Sequence, residues 1–515
     1  MSLAFLIVWI CAQPLPTTAP VRPNIVVILC DDLGFGDVSC LNPKGKIPTP
    51  QMDKIAGEGM VFTDAHSGSA VCSPTRYGLL CGRYAWRGKL KSGVLGGLSP
   101  RLIEPGRLTI AQLLKDKGYQ TAAIGKWHVG MDWEKLPGKK VTELGIESPG
   151  QNRNVDYTKT IKNGPNSLGF DYFFGISASL DMVPYAYIEN DRLKEQPTGE
   201  AEFAMMLGKT KGKTRKGPAS PGFDAAKVLP DLTGKAVEYI GSRSKDTPFF
   251  LYLPLASPHT PVLPTDPFQG KSGLNPYADF VMETDEAIGK VANAVEKAGF
   301  ADNTLFLVTS DNGCSPMADL PALLVKGHNP NYHFRGHKAD IFEGGHRVPF
   351  LVRWPGKIAK GKSSDRLVCL TDLMSTFAEI TKSSLPDNAA EDSFSFADLF
   401  GLIHPIEKRE RPRRESIVHH SINGSFAIRR GSWKLCLCPD SGGWSAPRPR
   451  SAIAKNLPPS QLFDLSRDIG EKWNLFGDDP AKVAALEKEL GEIVANGRSR
   501  PGPRQPIWEP VNLRP

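Results

Sequence analysis

Residues Asn24–Cys30 read NIVVILC, an uninterrupted apolar run that ends abruptly at Asp31 and Asp32. Its side chains are mostly β-branched or leucine, and they do not alternate with polar residues as in a strand that faces solvent on one side. Such a run predicts a strand covered on both faces, as in the interior of a parallel sheet. The two aspartates would then lie just beyond the carboxyl end of that strand.

Three later segments repeat this pattern of a short apolar run followed by polar residues. The runs are Thr121–Ile124, Phe249–Leu255 and Thr304–Thr309. The polar clusters that follow them are Gly125-Lys126-Trp127-His128, Ser257-Pro258-His259 and Ser310-Asp311-Asn312-Gly313. Helical patterns, with apolar residues three and four positions apart, lie between the runs. They are Gln51–Gly59, Thr109–Lys117, Asp231–Ser242 and Tyr277–Ala298.

This alternation of strands and helices predicts an α/β fold, a doubly wound and mostly parallel sheet flanked by helices. In such sheets ligands bind beyond the carboxyl ends of the strands, where all four polar clusters fall. Together the clusters supply three carboxylates, one amide, one lysine and two histidines. We therefore expect one functional site at this edge of the sheet.

The character of the sequence changes after about residue 385. Ser425–Arg429 and Trp433–Leu437, on either side of a short turn, predict a β-hairpin. Ala481–Ala495 has the apolar stripe of an amphipathic helix. We therefore predict a large domain over residues 21–385, which carries the site, and a smaller C-terminal α+β domain over residues 386–515.

Charge and the amino terminus exclude two classes of partner. The chain has 63 Lys and Arg against 55 Asp and Glu, a net charge of +8 over 515 residues. This excess is scattered and forms no basic stripe with interleaved aromatic residues, so we expect no nucleic-acid partner. Leu3–Ala12 is apolar but about half as long as the ~20 residues of a membrane-spanning helix. It matches the core of a signal peptide over residues 1–20, so we expect export to a periplasm or the extracellular space without stable membrane insertion.

The segment Cys72–Arg83 places a cysteine at a predicted helix start. Pro74 suits the first turn of a helix, so Cys72 would stand where unpaired N–H groups and the helix dipole attract anions. Arg76, one turn later, can reach back toward the same place. Taken alone, this pattern fits a buried structural cysteine equally well.

Taken together, the motifs resemble those of the type I sulfatases, a family of the alkaline phosphatase-like superfamily. Cys72-Ser73-Pro74-Thr75-Arg76, followed by Leu79-Leu80-Cys81-Gly82-Arg83, is similar to the signature in which the cysteine is converted to Cα-formylglycine. Cys81 departs from the threonine that is usual there. The further matches are Asp31–Gly34, Gly125–Gly130, Pro258–His259, Ser310–Gly313, Arg335–Lys338 and Glu343–Pro349.

The resemblance implies an enzyme that hydrolyses sulfate monoesters. Formylglycine hydrates to a geminal diol, one hydroxyl of which attacks sulfur, and deprotonation of the other then expels sulfate. The resemblance also implies one divalent cation per chain, Ca²⁺ more than Mg²⁺, which fits a set of oxygen donors. The implied ligands are Asp31, Asp32, Cys72 in its modified form, Asp311 and Asn312.

The resemblance also assigns roles to basic side chains around this cation. Arg76 would stabilise the alkoxide, and His128 would be the base that triggers sulfate release. His259 would protonate the departing alcohol or bind a sulfate oxygen. Lys126 and Lys338 would bind sulfate oxygens as charge shifts during the reaction.

Some assignments rest on position or analogy. Ser179 resembles by position a serine that contacts the sulfate, whereas we favour structural roles for His337 and His346. A formylglycine-generating enzyme is the implied transient partner, and sulfated carbohydrate is the substrate class suggested by bacterial relatives. Two other functions stay open: a phosphonate monoester or phosphodiester hydrolase of the same superfamily, and a non-catalytic sulfated-glycan binding protein.

Overall fold

The computed structural model describes residues 22–210, 212–401, 412–507 and 509–514, so the predicted signal peptide lies outside the described residues. The strands within these ranges are β1 (Asn24–Cys30), β2 (Met60–Phe62), β3 (Ala65–His66), β4 (Gln120–Lys126), β5 (Tyr172–Ile176), β6 (Ile188–Glu189), β7 (Arg192–Leu193), β8 (Gly199–Ala201), β9 (Gly217–Ala219), β10 (Phe249–Pro254), β11 (Thr304–Ser310), β12 (Phe350–Arg353), β13 (Lys362–Ser364), β14 (Val368–Cys369), β15 (Ser416–His420), β16 (Phe426–Arg430), β17 (Trp433–Cys436) and β18 (Gln461–Asp464). The helices are α1 (Pro50–Gly57), α2 (Cys72–Cys81), α3 (Ile110–Lys115), α4 (Val228–Gly241), α5 (Pro276–Lys297), α6 (Leu320–Val325), α7 (Glu343–His346), α8 (Leu373–Ile380) and α9 (Pro480–Ala495).

Ten of the described strands form one sheet, in the order β13-β2-β12-β11-β1-β10-β4-β5-β6-β7. The central strands β11, β1, β10, β4 and β5 are parallel to one another. On one side β12 joins β11 antiparallel, and on the other β6 joins β5 antiparallel. The predicted fold class, a mostly parallel sheet flanked by helices, is therefore confirmed.

Strand β1 lies at the centre of this sheet, and all seven of its residues are buried. Ile25, Val27 and Leu29 pack on one face with helices α2, α3 and α8. Val26 and Ile28 pack on the other face with helices α1, α4 and α5. Both faces of the strand are thus covered, which explains why its sequence is apolar throughout. The other predicted strands are β4, β10 and β11, within two residues at each end.

The C-terminal part forms a four-stranded antiparallel sheet, β15-β16-β17-β18. The predicted hairpin is β16 and β17, and helix α9 packs on this sheet through Leu486 and Leu490. The division of the chain at residue 385 stays a prediction; Phe396 and Phe400 pack in the same core as Phe62 of β2. Within the described ranges, no helix combines the length and the apolar composition needed to cross a bilayer.

Candidate active site

The candidate site lies at the carboxyl end of the parallel strands. Register pairs the last residues of β1 and β11, Cys30 and Ser310, so Asp31 and Asp311 follow side by side. The Asp311 amide donates to the carbonyl oxygen of Cys30 at 3.0 Å, which fixes the two chain ends together. Lys126, the last residue of β4, points into the same buried region. The edge predicted from the sequence thus carries the predicted residues.

The oxygen donors predicted to bind a cation converge at this edge. The Asn312 side-chain amide donates to Asp32 Oδ1 at 2.7 Å, and the Asp32 backbone amide lies 3.3 Å from Asp311 Oδ1. Asp31, Asp32 and His259 each offer a ligand atom within 4.8 Å of the others. Asp31 Oδ1 and Asn312 Oδ1 are buried without a hydrogen-bond partner among the described residues. Orphaned oxygens are costly in a dry interior, and they are what a hard divalent cation binds, so this group fits such a cation.

Three buried cations balance the three carboxylates of this group. The pairs are Lys338 with Asp32 at 2.7 Å, Lys126 with Asp31, and Arg76 with Asp311 at 2.9 Å. Burial opposes ionisation of Asp31, but the charges of Lys126 and His259 outweigh it and hold the pKa of Asp31 well below its usual range. Burial and the neighbouring Asp31 charge raise the pKa of Asp311 to about 7. The site thus brings three buried cationic side chains and three buried carboxylates together in one pocket.

Cys72 is the first residue of α2, as predicted, and is 2% exposed. Arg76, one turn later, donates from Nη1 to the carbonyl oxygen of Lys126 at 2.8 Å and so ties the helix start to the end of β4. Burial raises the pKa of the Cys72 thiol, although Lys126 and Lys338 act to lower it. An unmodified Cys72 would therefore be a neutral thiol, which is a poor nucleophile.

Ser179 belongs to the site, next to two other residues predicted to contact sulfate. Its hydroxyl accepts a hydrogen bond from Lys126 Nζ at 3.1 Å and lies 3.3 Å from His259 Nδ1. His259 Nδ1 lies 2.7 Å from the carbonyl oxygen of Thr260, which can only accept, so this nitrogen carries a proton. His259 Nε2 faces Asp32, 3.7 Å away.

His128 is held in the conformation of a proton acceptor. Its backbone has a φ of 55°, and its Nε2 donates to the carbonyl oxygen of Leu95 at 2.8 Å. Nδ1 therefore presents a lone pair, and it is buried without a partner among the described residues. Burial and the nearby Lys126 charge hold the pKa of His128 well below its usual range, so the ring is neutral at neutral pH.

The loop that carries Asn312 rests on helix α7, a single turn within the motif Glu343–Pro349. The Gly313 amide donates to the carbonyl oxygen of Gly345 at 3.0 Å. A Cβ atom on Gly313 would lie 1.8 Å from the carbonyl oxygen of Gly344. Only glycine allows this approach of the two backbones, so α7 fixes the position of Asn312.

Sequence reasoning missed a second buried group behind α7, in which four side chains offer ligand atoms within 4.8 Å of one another. They are His66, Glu343, His346 and His419. Lys434 of β17 lies 3.1 Å from both Glu343 Oε1 and His346 Nε2, and 2.8 Å from Glu471 Oε1. The rings of His346 and His419 are stacked 3.5 Å apart.

This group is a polar network between the two parts of the chain. Its carboxylates are Asp64, Glu343 and Glu471, and its cations are Arg347, Arg429 and Lys434. The three carboxylates pair with the three cations, and the stacked, nearly parallel rings of His346 and His419 do not direct their lone pairs at one point. His337, which the sequence also left outside the chemistry, points Nδ1 at the carbonyl oxygen of Lys338. Glu343, His346 and Arg347, which lie inside the motif Glu343–Pro349, gave the signal for this network in the sequence.

A family model described as Sulfatase matches residues 23–383. The chain is 32% identical to an N-acetylgalactosamine-6-O-sulfatase of Bacteroides thetaiotaomicron, over 93% of this chain and 94% of the relative. It is 30% identical to arylsulfatase A of Homo sapiens, over 88% of this chain and 83% of the relative. A solved sulfatase structure from work on the metabolism of multiple glycosaminoglycans by Bacteroides thetaiotaomicron has a TM-score of 0.75 and 30% identity, and covers 92% of this chain and 99% of that one.

Proposed function

Because the chain belongs to the sulfatase family and is therefore a sulfuric ester hydrolase, we propose that it cleaves sulfate monoesters through a formylglycine made from Cys72 and a bound calcium ion. The observation that carries the proposal is the setting of Cys72. It is buried at a helix start, beside two lysines and beside Asp31 and Asp311, and Asp31 has an unsatisfied oxygen atom. A neutral thiol is of little use there, whereas an oxygen nucleophile next to a cation would be well placed.

The calcium ion would be held by Asp31, Asp32, Asp311 and Asn312, together with an oxygen of the modified residue 72. When bound, the ion supplies charge that acidifies a hydroxyl group and attracts sulfate oxygens. Formylglycine supplies a geminal diol, with one hydroxyl for attack on sulfur and a second whose deprotonation releases sulfate. The calcium ion and the formylglycine both need a pocket shielded from water, and the buried residues around Cys72 form such a pocket.

The remaining steps belong to side chains already in place. Lys126 and Lys338, fixed by Asp31 and Asp32, would bind the sulfate oxygens, with Ser179 beside them. Such fixed charges favour the transition state because they need no reorganisation when charge shifts. Asp32 raises the pKa of Lys338 despite its burial, so Lys338 stays charged.

Two histidines would move the protons. His128, neutral and with a free Nδ1, would accept the proton whose loss releases sulfate. His259 keeps its Nδ1 proton on Thr260 and, when charged, would offer the Nε2 proton to the departing alcohol. The two roles fall to different rings because their surroundings differ.

The proposal is tested by the mass of the peptide that contains Cys72 and by substrate preference. We expect that peptide, from active enzyme, to be about 18 Da lighter than the cysteine form. We also expect kcat/KM to be higher for 4-nitrophenyl sulfate than for a phosphonate monoester of the same phenol. The matched control is Cys72→Ser, which should fold normally but show no multiple turnover. An ordinary thiol at residue 72 in active enzyme would overturn the proposal.

The alternatives are not favoured. A large excess of kcat/KM for the phosphonate would support the phosphonate monoester or phosphodiester hydrolase. A non-catalytic glycan-binding protein would be expected to have lost a catalytic or metal-binding residue, yet all those that the motifs imply stand together here. The proposal has two further parts. A formylglycine-generating enzyme modifies the chain before export. The substrate is a carbohydrate sulfate, as the name of the Bacteroides relative indicates for that protein.

A further inference from the structure

The loop after β5 extends the site beyond the sulfate-binding residues. The carbonyl oxygen of Ser177 accepts a hydrogen bond from the His128 amide at 3.0 Å, and Ser179 contacts Lys126. Asp181 follows two residues later, on the same loop. It therefore lies two residues from Ser179, on the loop that borders the predicted sulfate pocket.

Asp181 and Arg215 have hydrogen-bonding capacity that the protein does not use. Asp181 Oδ1 is buried and has no hydrogen-bond partner among the described residues. Asp181 Oδ2 lies 3.9 Å from Arg215 Nη1, too far for a hydrogen bond. The Arg215 side chain is 42% exposed and the Asp181 side chain 19%. A carboxylate that only accepts and a guanidinium that only donates thus face each other across a gap.

The surroundings hold this pair in place. The Tyr185 hydroxyl donates to the carbonyl oxygen of Arg215 and accepts from Thr214 Oγ1, 2.8 Å away, which fixes the backbone at Arg215. Burial raises the pKa of Tyr185 to about 12, with Asp181 raising it and Arg215 lowering it. Glu147 is buried, and the Arg215 charge acts on it as well. The backbone at Arg215 is therefore fixed, while its side chain forms no close ion pair with Asp181.

We propose that Asp181 and Arg215 bind hydroxyl groups of the sugar that carries the scissile sulfate. The proposal rests on the sulfatase function proposed above and names the residues that select its substrate. A sugar hydroxyl can donate to Asp181 and accept from Arg215 at once, which closes the gap. An apolar alcohol would displace water from both groups without replacing its hydrogen bonds, which weakens binding by about 5- to 150-fold for each unsatisfied group. The pair thus favours a polyhydroxylated alcohol over an aryl or steroid one.

The test compares an ester that has hydroxyl groups with one that has none. Asp181→Ala and Arg215→Ala should each lower kcat/KM for N-acetylgalactosamine 6-O-sulfate by about 10- to 100-fold. Both should leave kcat/KM for 4-nitrophenyl sulfate within about twofold of wild type, which also shows that the variants fold. Asp181→Asn, which keeps the shape but not the charge, should lose less than Asp181→Ala. The matched control is Glu238→Gln, in an exposed ion pair on α4, which should change neither value.

Three results would overturn the proposal. An equal loss on both esters would mean that the pair positions Ser179 and does not bind sugar. No loss on either ester would mean that the pair does not face the substrate. The wild type could also hydrolyse 4-nitrophenyl sulfate but none of the 6-O-sulfates of N-acetylgalactosamine, N-acetylglucosamine and galactose. That result would contradict a sugar-binding site. Inactivity of the wild type on both classes of ester would instead overturn the sulfatase proposal, and this one with it.

Discussion

Asp31 Oδ1 and Asn312 Oδ1 are two oxygen atoms enclosed by protein and bonded to nothing among the described residues. Each is a strong acceptor taken out of water, which destabilises the fold unless something else binds it. The neighbouring cations already pair with other oxygen atoms of the group. These two free oxygens are therefore the atoms at which we propose that a divalent cation binds.

Asn312→Ala tests this interpretation because it removes one of the two free oxygens. It also removes the amide that donates to Asp32 Oδ1. We expect the affinity for Ca²⁺ to fall by about 10- to 100-fold, with activity partly restored at high Ca²⁺. The measurement is a Ca²⁺ titration of chelator-treated enzyme, followed by activity and by thermal unfolding.

The control is Asn303→Ala, at the opposite end of β11, where the side chain donates to the carbonyl oxygen of Arg22. It should leave the Ca²⁺ affinity unchanged. If Asn312→Ala binds Ca²⁺ as tightly as the control, Asn312 is not a ligand.

Single residues could be predicted from the sequence where a short motif stands at the end of one element. Cys72 at a helix start and Asp31 at a strand end are of this kind. His419 and Lys434 could not be predicted, because they become significant only through tertiary contacts: Lys434 meets His346 across 88 positions of the chain. No local pattern encodes such a contact. Asp181 could not be predicted either, because its free oxygen is visible only in three dimensions.

At the scale of elements, the close contact between the Asn312 loop and α7 controls the position of a predicted ligand. Gly313→Ala would introduce a methyl group 1.8 Å from the carbonyl oxygen of Gly344. We expect a loss of about 1–3 kcal/mol in the free energy of unfolding, because one of the two segments must move. We also expect weaker Ca²⁺ binding, because Asn312 moves with Gly313. Urea unfolding and Ca²⁺ titration measure the two effects.

Gly57→Ala, at the end of helix α1, is the matched control, since no atom lies within 4 Å of the added methyl group. It should be neutral or slightly stabilising. Equal behaviour of the two variants would mean that the contact between the loop and α7 does not position Asn312.

Helices and strands could be predicted where their burial produces a recognisable pattern of apolar residues. Strands β1, β4, β10 and β11 are enclosed on both faces, and each shows as an apolar run. β13 (Lys362–Ser364) is partly exposed, and three polar residues give no strand signal. It exists because its backbone pairs with β2, some 300 positions away along the chain. Short edge strands of this kind follow from the finished sheet and cannot be predicted from local sequence.

At the scale of the whole molecule, Lys434 connects the C-terminal sheet to the catalytic edge. Lys434→Met would leave Glu343 and Glu471 buried without their shared cation. We expect a loss of about 3–5 kcal/mol in the free energy of unfolding at neutral pH, measured by urea denaturation. The Glu343 charge and burial already raise the pKa of Glu471 to about 7. The folded variant should bind more protons than the unfolded chain. The decrease in its free energy of unfolding should therefore become larger as the pH rises.

Lys488→Met provides the control for Lys434→Met. Lys488 lies on α9, and its side chain is 77% exposed. It should change the free energy of unfolding by less than about 0.5 kcal/mol. A similarly small effect of Lys434→Met would mean that the network does not hold the two parts of the chain together.

Buried histidines should make the whole molecule sensitive to acid. Burial lowers the pKa of His66, His346 and His419, and it lowers that of His420 to about 4, from 6.5 for an exposed ring. Below pH 6.5 the unfolded chain therefore binds more protons than the folded protein. The free energy of unfolding therefore decreases as the pH is lowered. The measurement is the urea midpoint between pH 7.5 and 5.0, above the range in which most carboxylates titrate.

His419→Phe should flatten this dependence on pH. Phenylalanine can keep the stacking on His346 but cannot take up a proton. At pH 5.0 we expect the variant to lose less of its neutral-pH stability than the wild type does. An unchanged slope would show that His419 contributes nothing to the acid sensitivity.

The central place of β1 has a consequence for the timing of biosynthesis. β1 leaves the ribosome first, yet its neighbours β10 and β11 begin only at Phe249 and Thr304. Until those strands arrive, the segment around Cys72 has no complete sheet to pack against, and afterwards Cys72 is 2% exposed. An enzyme that converts this cysteine must therefore work during the interval between emergence and closure. The fraction of active molecules would then depend on a kinetic race between modification and folding, and slower synthesis or delayed folding would raise it.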